Sequence, residues 1–173
     1  MKPYFRLLLM VIAILLDGVA PASAQTGTVV RVYPAFQQVQ PGAEFDLTIQ
    51  VDDVANLYAY DLTLSFPPDK VEVLSAAYGS FLEEPLMGFI AKDNVNGTLW
   101  VVASQQNPAE PQSGSGTLVT VHLRAKTEAH GEAALVLTNV ELSTQDGELI
   151  SCSLQDGRVH IGDYRLFLPL VLR

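Results

Sequence analysis

Tyr58-Ala59-Tyr60-Asp61-Leu62-Thr63-Leu64-Ser65-Phe66, followed by Pro67-Pro68, is the stretch whose reading decides the fold. Tyr58, Tyr60, Leu62, Leu64 and Phe66 share one parity, and Ala59, Asp61, Thr63 and Ser65 the other. Side chains of a strand point alternately to opposite faces, so this period of two predicts a half-buried strand, apolar inside and polar outside. The two prolines stop it, because neither can donate to a ladder. Val71, Val73 and Leu74 then begin another strand. On the N-terminal side, Pro41-Gly42 predicts a turn. After it Phe45, Leu47, Ile49 and Val51 alternate with Asp46, Thr48 and Gln50 in a second clean strand. Val29, Val30, Val32 and Tyr33 make an earlier one, ended by Pro34, and Asp52-Asp53 reads as a solvated turn.

Towards the C-terminus, Ala76 to Leu86 is less regular, with Tyr78 to Leu82 either a short strand or a loop anchored by aromatics. Phe89–Lys92 and Thr98–Ser104 flank Asp93-Asn94-Val95-Asn96-Gly97. Asn-Gly tolerates the positive φ angles of tight turns, which predicts a hairpin. Asn96-Gly97-Thr98 is also a formal glycosylation acceptor, but that motif is frequent by chance and the turn is the preferred reading. Asn107 to Gly116, rich in Pro, Ser and Gly, reads as a surface loop. Thr117–Ala125, Ala134–Leu142, Leu149–Leu154 and Val159–Ile161 complete the strands, with turns at Asp146-Gly147 and Asp156-Gly157. Short strands at regular spacing without an amphipathic helix predict an all-β sandwich or jelly roll.

The ends of the chain read differently. Lys2 and Arg6, the apolar run Leu7–Leu16 and Ala22-Ser23-Ala24 predict a cleaved secretory signal over residues 1–24. A bilayer core needs about 20 apolar residues, more than this run supplies, although a retained N-terminal anchor is the alternative. Cleavage would leave 149 of 173 residues and no integral membrane span, and losing Lys2, Arg6 and Asp17 takes the formal charge from −9 to −10. Such acidity repels phosphate backbones, so nucleic acid is not an expected partner. The expected location is secreted or cell-surface. Cys152 is the lone cysteine and makes no internal disulfide. It reads as a small apolar residue in a strand, with pairing between chains as the alternative. Residues 163–173 form an apolar tail that contains Arg165, Pro169 and Arg173. Its readings are attachment or sorting, or a flap packed on the sandwich.

Catalytic chemistry finds little support. Asp52-Asp53 and Glu83-Glu84 are adjacent, so on strands they point to opposite faces. A glycosidase instead places two carboxylates about 5–9 Å apart across a cleft. His122, His130 and His160 show no zinc-ligand spacing, no G-x-S-x-G elbow occurs, and Asp146-Gly147 does not extend into a calcium loop. These residues predict no enzyme, no cofactor and no metal. Trp100 is informative by phase: Leu99, Val101 and Ala103 share one face of its strand, Trp100, Val102 and Ser104 the other. If the first set is inward, Trp100 stands exposed as a partner anchor; a core tryptophan is the alternative.

Three runs carry a family resemblance: PGAEFDLTIQVDDVANLYAYDLTLSFPPDKVEVLSAAYGSFL (41–82), DNVNGTLWVVASQQNPAEPQSGSGTLVTVHLRA (93–125) and LQDGRVHIG (154–162). Together they resemble the cohesin domain, the receptor for dockerin modules in bacterial polysaccharide-degrading assemblies. The resemblance spans Thr28 to Gly162 and implies a nine-stranded jelly-roll β-sandwich over residues 25–162. It also implies a dockerin-type partner and no catalysis. By position, the family's interface aspartate falls on Asp61 and its neighbouring asparagine on Ala59, which lacks the amide of a standard contact. The apolar interface positions fall on Trp100 and Val102, with Ser104 next. The alternative function is a carbohydrate-binding module that stacks polysaccharide on Trp100 and Tyr78. A third is a cell-surface subunit attached through the tail.

Overall fold

The computed structural model describes residues 27–163. The predicted signal segment 1–24 and the tail segment 164–173 lie outside the described residues. Twelve strands follow in order: β1 Val29–Tyr33, β2 Phe36–Val39, β3 Glu44–Leu57, β4 Ala59–Ser65, β5 Val71–Tyr78 and β6 Leu86–Asp93. Then come β7 Thr98–Gln105, β8 Gln112–Ala125, β9 Gly131–Ser143, β10 Leu149–Ile150, β11 Ser153–Gln155 and β12 Gly157–Ile161. One sheet has the order β11-β1-β3-β8-β5. The other has β2-β12-β9-β4-β7-β6, with β10 beside β9. No helix among the described residues is long and apolar enough to cross a membrane.

The two sheets close on one core. Phe45, Leu47, Ile49 and Val51 of β3 are buried, as are Tyr60, Leu62 and Leu64 of β4, Val71 and Val73 of β5, and Leu99, Val101 and Ala103 of β7. Each fully enclosed Leu, Ile or Val contributes about 1.5–3 kcal/mol relative to exposure. Hydrogen bonds also join the layers. Tyr60 donates its buried hydroxyl to the carbonyl of Leu118 at 2.8 Å, and Tyr78 reaches from β5 to the carbonyl of Val102 in β7 at 3.2 Å. Burial pushes the Tyr60 phenol well above its ordinary value, so it stays a neutral donor. Asn94, in the β6–β7 turn, accepts from the Val73 amide at 2.8 Å and donates to the Val73 carbonyl at 2.9 Å, docking the hairpin on β5. Gly97 closes that turn at a φ of 72°.

The structure departs from the sequence reading in four places. Asp52-Asp53 is not a turn: β3 runs through it to Leu57, with the register shifting around Asp53 (φ 53°) and Asn56 (φ 56°). Such bulges let one long strand bend without leaving its ladder. The Ser-Gly stretch predicted as loop is strand from Gln112 onward, because Ser115 and Ser113 accept the Asp53 and Asn56 amides at 3.0 and 2.9 Å. Leu149–Leu154 is two strands, since the chain changes sheets at Ser151-Cys152; β10 pairs with β9 and β11 with β1. Asp156-Gly157 crosses back between sheets instead of turning a hairpin, and a Cβ at Gly157 would lie 2.5 Å from Val32. The split of Leu149–Leu154 and the short β2 bring the ten strands read along the sequence to twelve; the resemblance implied nine. The all-β sandwich stands.

The outward side of the five-stranded sheet is a charge ladder. His122 of β8 lies between Asp46 (Nδ1 to Oδ1, 2.7 Å) and Glu44 (Nε2 to Oε2, 3.1 Å), both on β3. Arg124 pairs with Glu44 and, at 3.3 Å, with Glu72, while Arg31 pairs with Asp52 at 3.1 Å. The hydrogen bonds to Asp46 and Glu44 raise the His122 pKa above its ordinary value of 6.5. Bonds from Arg124 and His122 lower that of Glu44.

Two outcomes follow from these contacts. Tyr60→Phe should lower stability by about 1 kcal/mol, the worth of one net hydrogen bond. Its acceptor, the Leu118 carbonyl, keeps the Gly79 amide at 2.7 Å. Denaturant melts should show a lower midpoint with unchanged slope. For His122 the folded pKa is raised, so its stabilisation is complete below about pH 6.5 and fades as pH rises through the folded value. His122→Gln should therefore melt below the parent at about pH 5.5 and level with it at about pH 8.5. A gap that widened with pH would contradict the assignment.

Candidate partner-binding face

β4 presents Ala59, Asp61 and Thr63 outward because Tyr60, Leu62 and Leu64 are drawn into the core. Its neighbours are in register, so their outward residues align in rows across β6, β7, β4 and β9. The central row is Phe89, Val102, Asp61 and Glu141. On one side lie Met87, Ser104, Ala59 and Ser143, and on the other Ala91, Trp100, Thr63 and Thr138. The five positions singled out from the sequence, Ala59, Asp61, Trp100, Val102 and Ser104, are thus brought together on one face.

Trp100 is exposed at 45%, while Leu99, Val101 and Ala103 are fully enclosed. The core alternative for this tryptophan is excluded. Its indole Nε1 donates to Asp61 Oδ1 at 2.7 Å, a diagonal contact between β7 and β4. The Phe89 ring meets it edge-on, with centroids 4.5 Å apart and planes at 88°, the geometry aromatic quadrupoles favour. Met87 (62%) and Phe89 (43%) are exposed beside it, and Val102 and Ala59 are half-buried. Ser104 turns its hydroxyl to the Gln105 carbonyl at 3.1 Å. The result is an apolar, aromatic surface bordered by carboxylates.

Met87, Phe89 and Glu141 were not singled out from the sequence. In β6 the inward parity, Leu86, Gly88, Ile90 and Lys92, is interrupted by a glycine and a lysine, while the outward Met87, Phe89 and Ala91 are all apolar, so the alternation does not mark which side is inner. Gly88 is required there: a Cβ would stand 1.9 Å from the Val102 carbonyl and 2.8 Å from the Tyr78 hydroxyl. Lys92 turns its Nζ to the Leu74 carbonyl of β5, the kind of inward charge that protects an edge strand. Glu141 was hidden by a bulge at Asn139 (φ 48°), which moves burial in β9 from odd residues, ending at Leu137, to even Leu142. Tyr78, the second stacking residue of the carbohydrate reading, packs between the sheets and is not on this face. Among the described residues no three His, Cys, Asp or Glu side chains gather as a metal site.

The family model for the cohesin domain matches residues 34–161. The chain belongs to the cohesin family. A cohesin domain is a non-catalytic protein–protein interaction module. Among solved structures, this cohesin is similar to a non-cellulosomal cohesin from the hyperthermophilic archaeon Archaeoglobus fulgidus. The identity is 20% and the TM-score 0.65, over 79% of this chain and 92% of that one. The sixth cohesin of Acetivibrio cellulolyticus scaffoldin B, solved with a dockerin, is 16% identical at a TM-score of 0.69, over 79% and 100% of the two chains. A Clostridium thermocellum cohesin, OlpA, also solved with a dockerin, is 12% identical at 0.68, over 78% and 99%. At these identities the likeness is one of fold. No curated protein matches the chain.

Trp100 is the sole tryptophan, so fluorescence reads this face directly. Folded protein should show an indole open to acrylamide, and Phe89→Ala should raise the quenching constant. Quenching as weak as that of an enclosed indole would contradict the exposed placement.

Proposed function

We propose that this cohesin domain captures a dockerin-type module on the outward side of its β9-β4-β7-β6 surface. Asp61, Trp100, Val102, Ser104 and Ala59 lie within the contact. The observation that carries the reading is the outward apolar patch, exposed Met87, Phe89 and Trp100 around half-buried Val102, on a sheet whose inner side is already closed. Monomeric proteins rarely display such a patch unless it meets a partner. A rigid sheet also presents it without an ordering cost on binding. Cohesins of the same fold, including those from Acetivibrio cellulolyticus and Clostridium thermocellum, were solved with dockerins on them. A stable complex would bury about 800 Å² on each side, with the aromatic pair at its centre and the carboxylates at its rim.

Sugar stacking is less well supported. Phe89 abuts the Trp100 ring edge-on, so the pair does not form the flat platform that a pyranose needs. Ala59 supplies no amide, which makes the partner's contact at that row apolar instead of hydrogen-bonded. Within this proposal the domain spans residues 25–162, leaves the cell under the direction of segment 1–24 and works at or beyond the cell surface. Assembly of polysaccharide-degrading proteins is the matching role. Segment 163–173 is assigned to attachment.

The test is interferometry of the immobilised protein against a panel of purified dockerin modules. At least one should bind with micromolar or tighter affinity, and Val102→Asp should remove that binding while leaving the melting temperature within a few degrees, since Val102 is at the surface. Soluble xylan and cellulose oligosaccharides should give no signal. Sugar binding lost in Trp100→Ala, with no dockerin bound, would reverse the reading.

A further inference from the structure

Met87 is the sole methionine among the described residues, and its thioether stands in the open. At 62% exposure it surpasses its patch neighbours Trp100 (45%) and Phe89 (43%). It is the first outward residue of β6, two positions before Phe89 on the same side. Its row continues across the sheet through Ser104, Ala59 and Ser143, all small, so no bulky side chain of that row roofs the sulfur. One polar group does reach it. Gln106, whose backbone amide is tied to the Pro85 carbonyl at 2.9 Å, donates its side-chain Nε2 to Met87 Sδ at 3.5 Å. A thioether is a weak acceptor, so this amide is poorly matched to the group it meets. The other sulfur among the described residues, on Cys152, is half-buried, and burial pushes its thiol pKa up. That thiol holds its proton at neutral pH, whereas the Met87 lone pairs carry none.

We propose that Met87 is an oxidative modification site: hydrogen peroxide converts its thioether to the sulfoxide, and the sulfoxide weakens capture of the partner. The proposal rests on the docking reading above and adds a covalent control to it. The step balances with the peroxide as sole co-reactant. A sulfur lone pair attacks one peroxide oxygen, and the S–O bond forms as the O–O bond breaks. The departing hydroxide takes the proton of the transferred oxygen and leaves as water. Sulfur gives up two electrons and the peroxide gains them. No carbon–sulfur bond breaks, so methionine sulfoxide reductases can reverse the change. The product is a different surface. A thioether is flexible and apolar and adapts to the contours of a partner; the sulfoxide is polar and chiral. In the free protein the new oxygen is hydrated, with the Gln106 amide beside it as a donor. Under a docked module that oxygen must leave water. Gln106 offers one bond, and the N–H of the neighbouring Trp100 indole is already given to Asp61. Burying a polar group short of partners is costly, so oxidation favours the free domain over the complex.

The experiment treats the full chain with dilute hydrogen peroxide and follows it by peptide mapping and by interferometry against the dockerin modules it binds. Met87 should gain one oxygen atom, and the affinity should fall about tenfold or more, as expected for a polar group buried with too few partners. The melting temperature should stay within a few degrees of the untreated protein, because the side chain is outside the core. Methionine sulfoxide reductases A and B together should restore the affinity. Met87→Leu keeps Trp100 and Cys152, so its affinity, whatever its value, should be the same before and after peroxide. Unchanged affinity in the fully oxidised parent overturns the proposal and leaves the docking reading standing through its sensitivity to Val102→Asp. A fall shared by Met87→Leu traces the effect to another residue and overturns the proposal as well. So does a Met87 that stays unmodified while free methionine in the same solution is oxidised. Parent binding that ignores Val102→Asp, or no dockerin bound at all, removes the docking face and this inference together.

Discussion

The inner row of β4 is the constraint on which the rest of the molecule depends. Tyr60, Leu62 and Leu64 are at most 3% exposed, and the Tyr60 hydroxyl is tied across the core to β8. A strand has only two sides, so enclosing these three leaves Ala59, Asp61 and Thr63 no choice but to face out. Because β7 pairs with β4 residue by residue, the same constraint aims Trp100 and Val102. A slip of one residue would bury Asp61 and expose Leu62. The energetic cost of that exchange, several kcal/mol for an unpaired carboxylate alone, is what makes the binding face a consequence of the core.

Irregularities then adjust what the pleat alone would give. The bulges at Asp53 and Asn56 let β3 bend while β8 follows it, and the bulge at Asn139 re-aims the end of β9. Without the last, Glu141 would sit on the inward parity and Leu142 in solvent. Gly88 performs the equivalent service in β6, admitting the Val102 carbonyl and the Tyr78 hydroxyl where no other residue fits. The face is thus flat and apolar because a few positions break the rule that governs the remainder.

The division of charge between the two surfaces fits a division of labour. On the five-stranded sheet, Glu44, Asp46, Asp52 and Glu72 each have an ion-pair partner on a neighbouring strand. On the seven-stranded sheet, Asp61 and Glu141 have no cationic partner among the described residues and lie next to exposed aromatic rings. Stability alone would favour compensation there too, so the unbalanced side is where function is expected to override local optimisation.

Period-two alternation in Phe45–Val51, Tyr58–Phe66 and Thr98–Ser104 was enough to give an all-β sandwich. It also gave the outward direction of Trp100, Val102 and Asp61 once Leu99, Val101 and Ala103 were taken as core. These are local properties, set by which neighbours in the chain are apolar. Whether the Ser-Gly stretch from Gln112 became strand or loop depended on amide donors from β3, some 60 residues earlier in sequence. The sheet change at Ser151-Cys152 and the meeting of Asp61 with Glu141 also depended on the packing of distant strands. Ladder partners and bulges arise between strands remote in the chain, so only the tertiary structure could put the Asp61 and Glu141 carboxylates side by side.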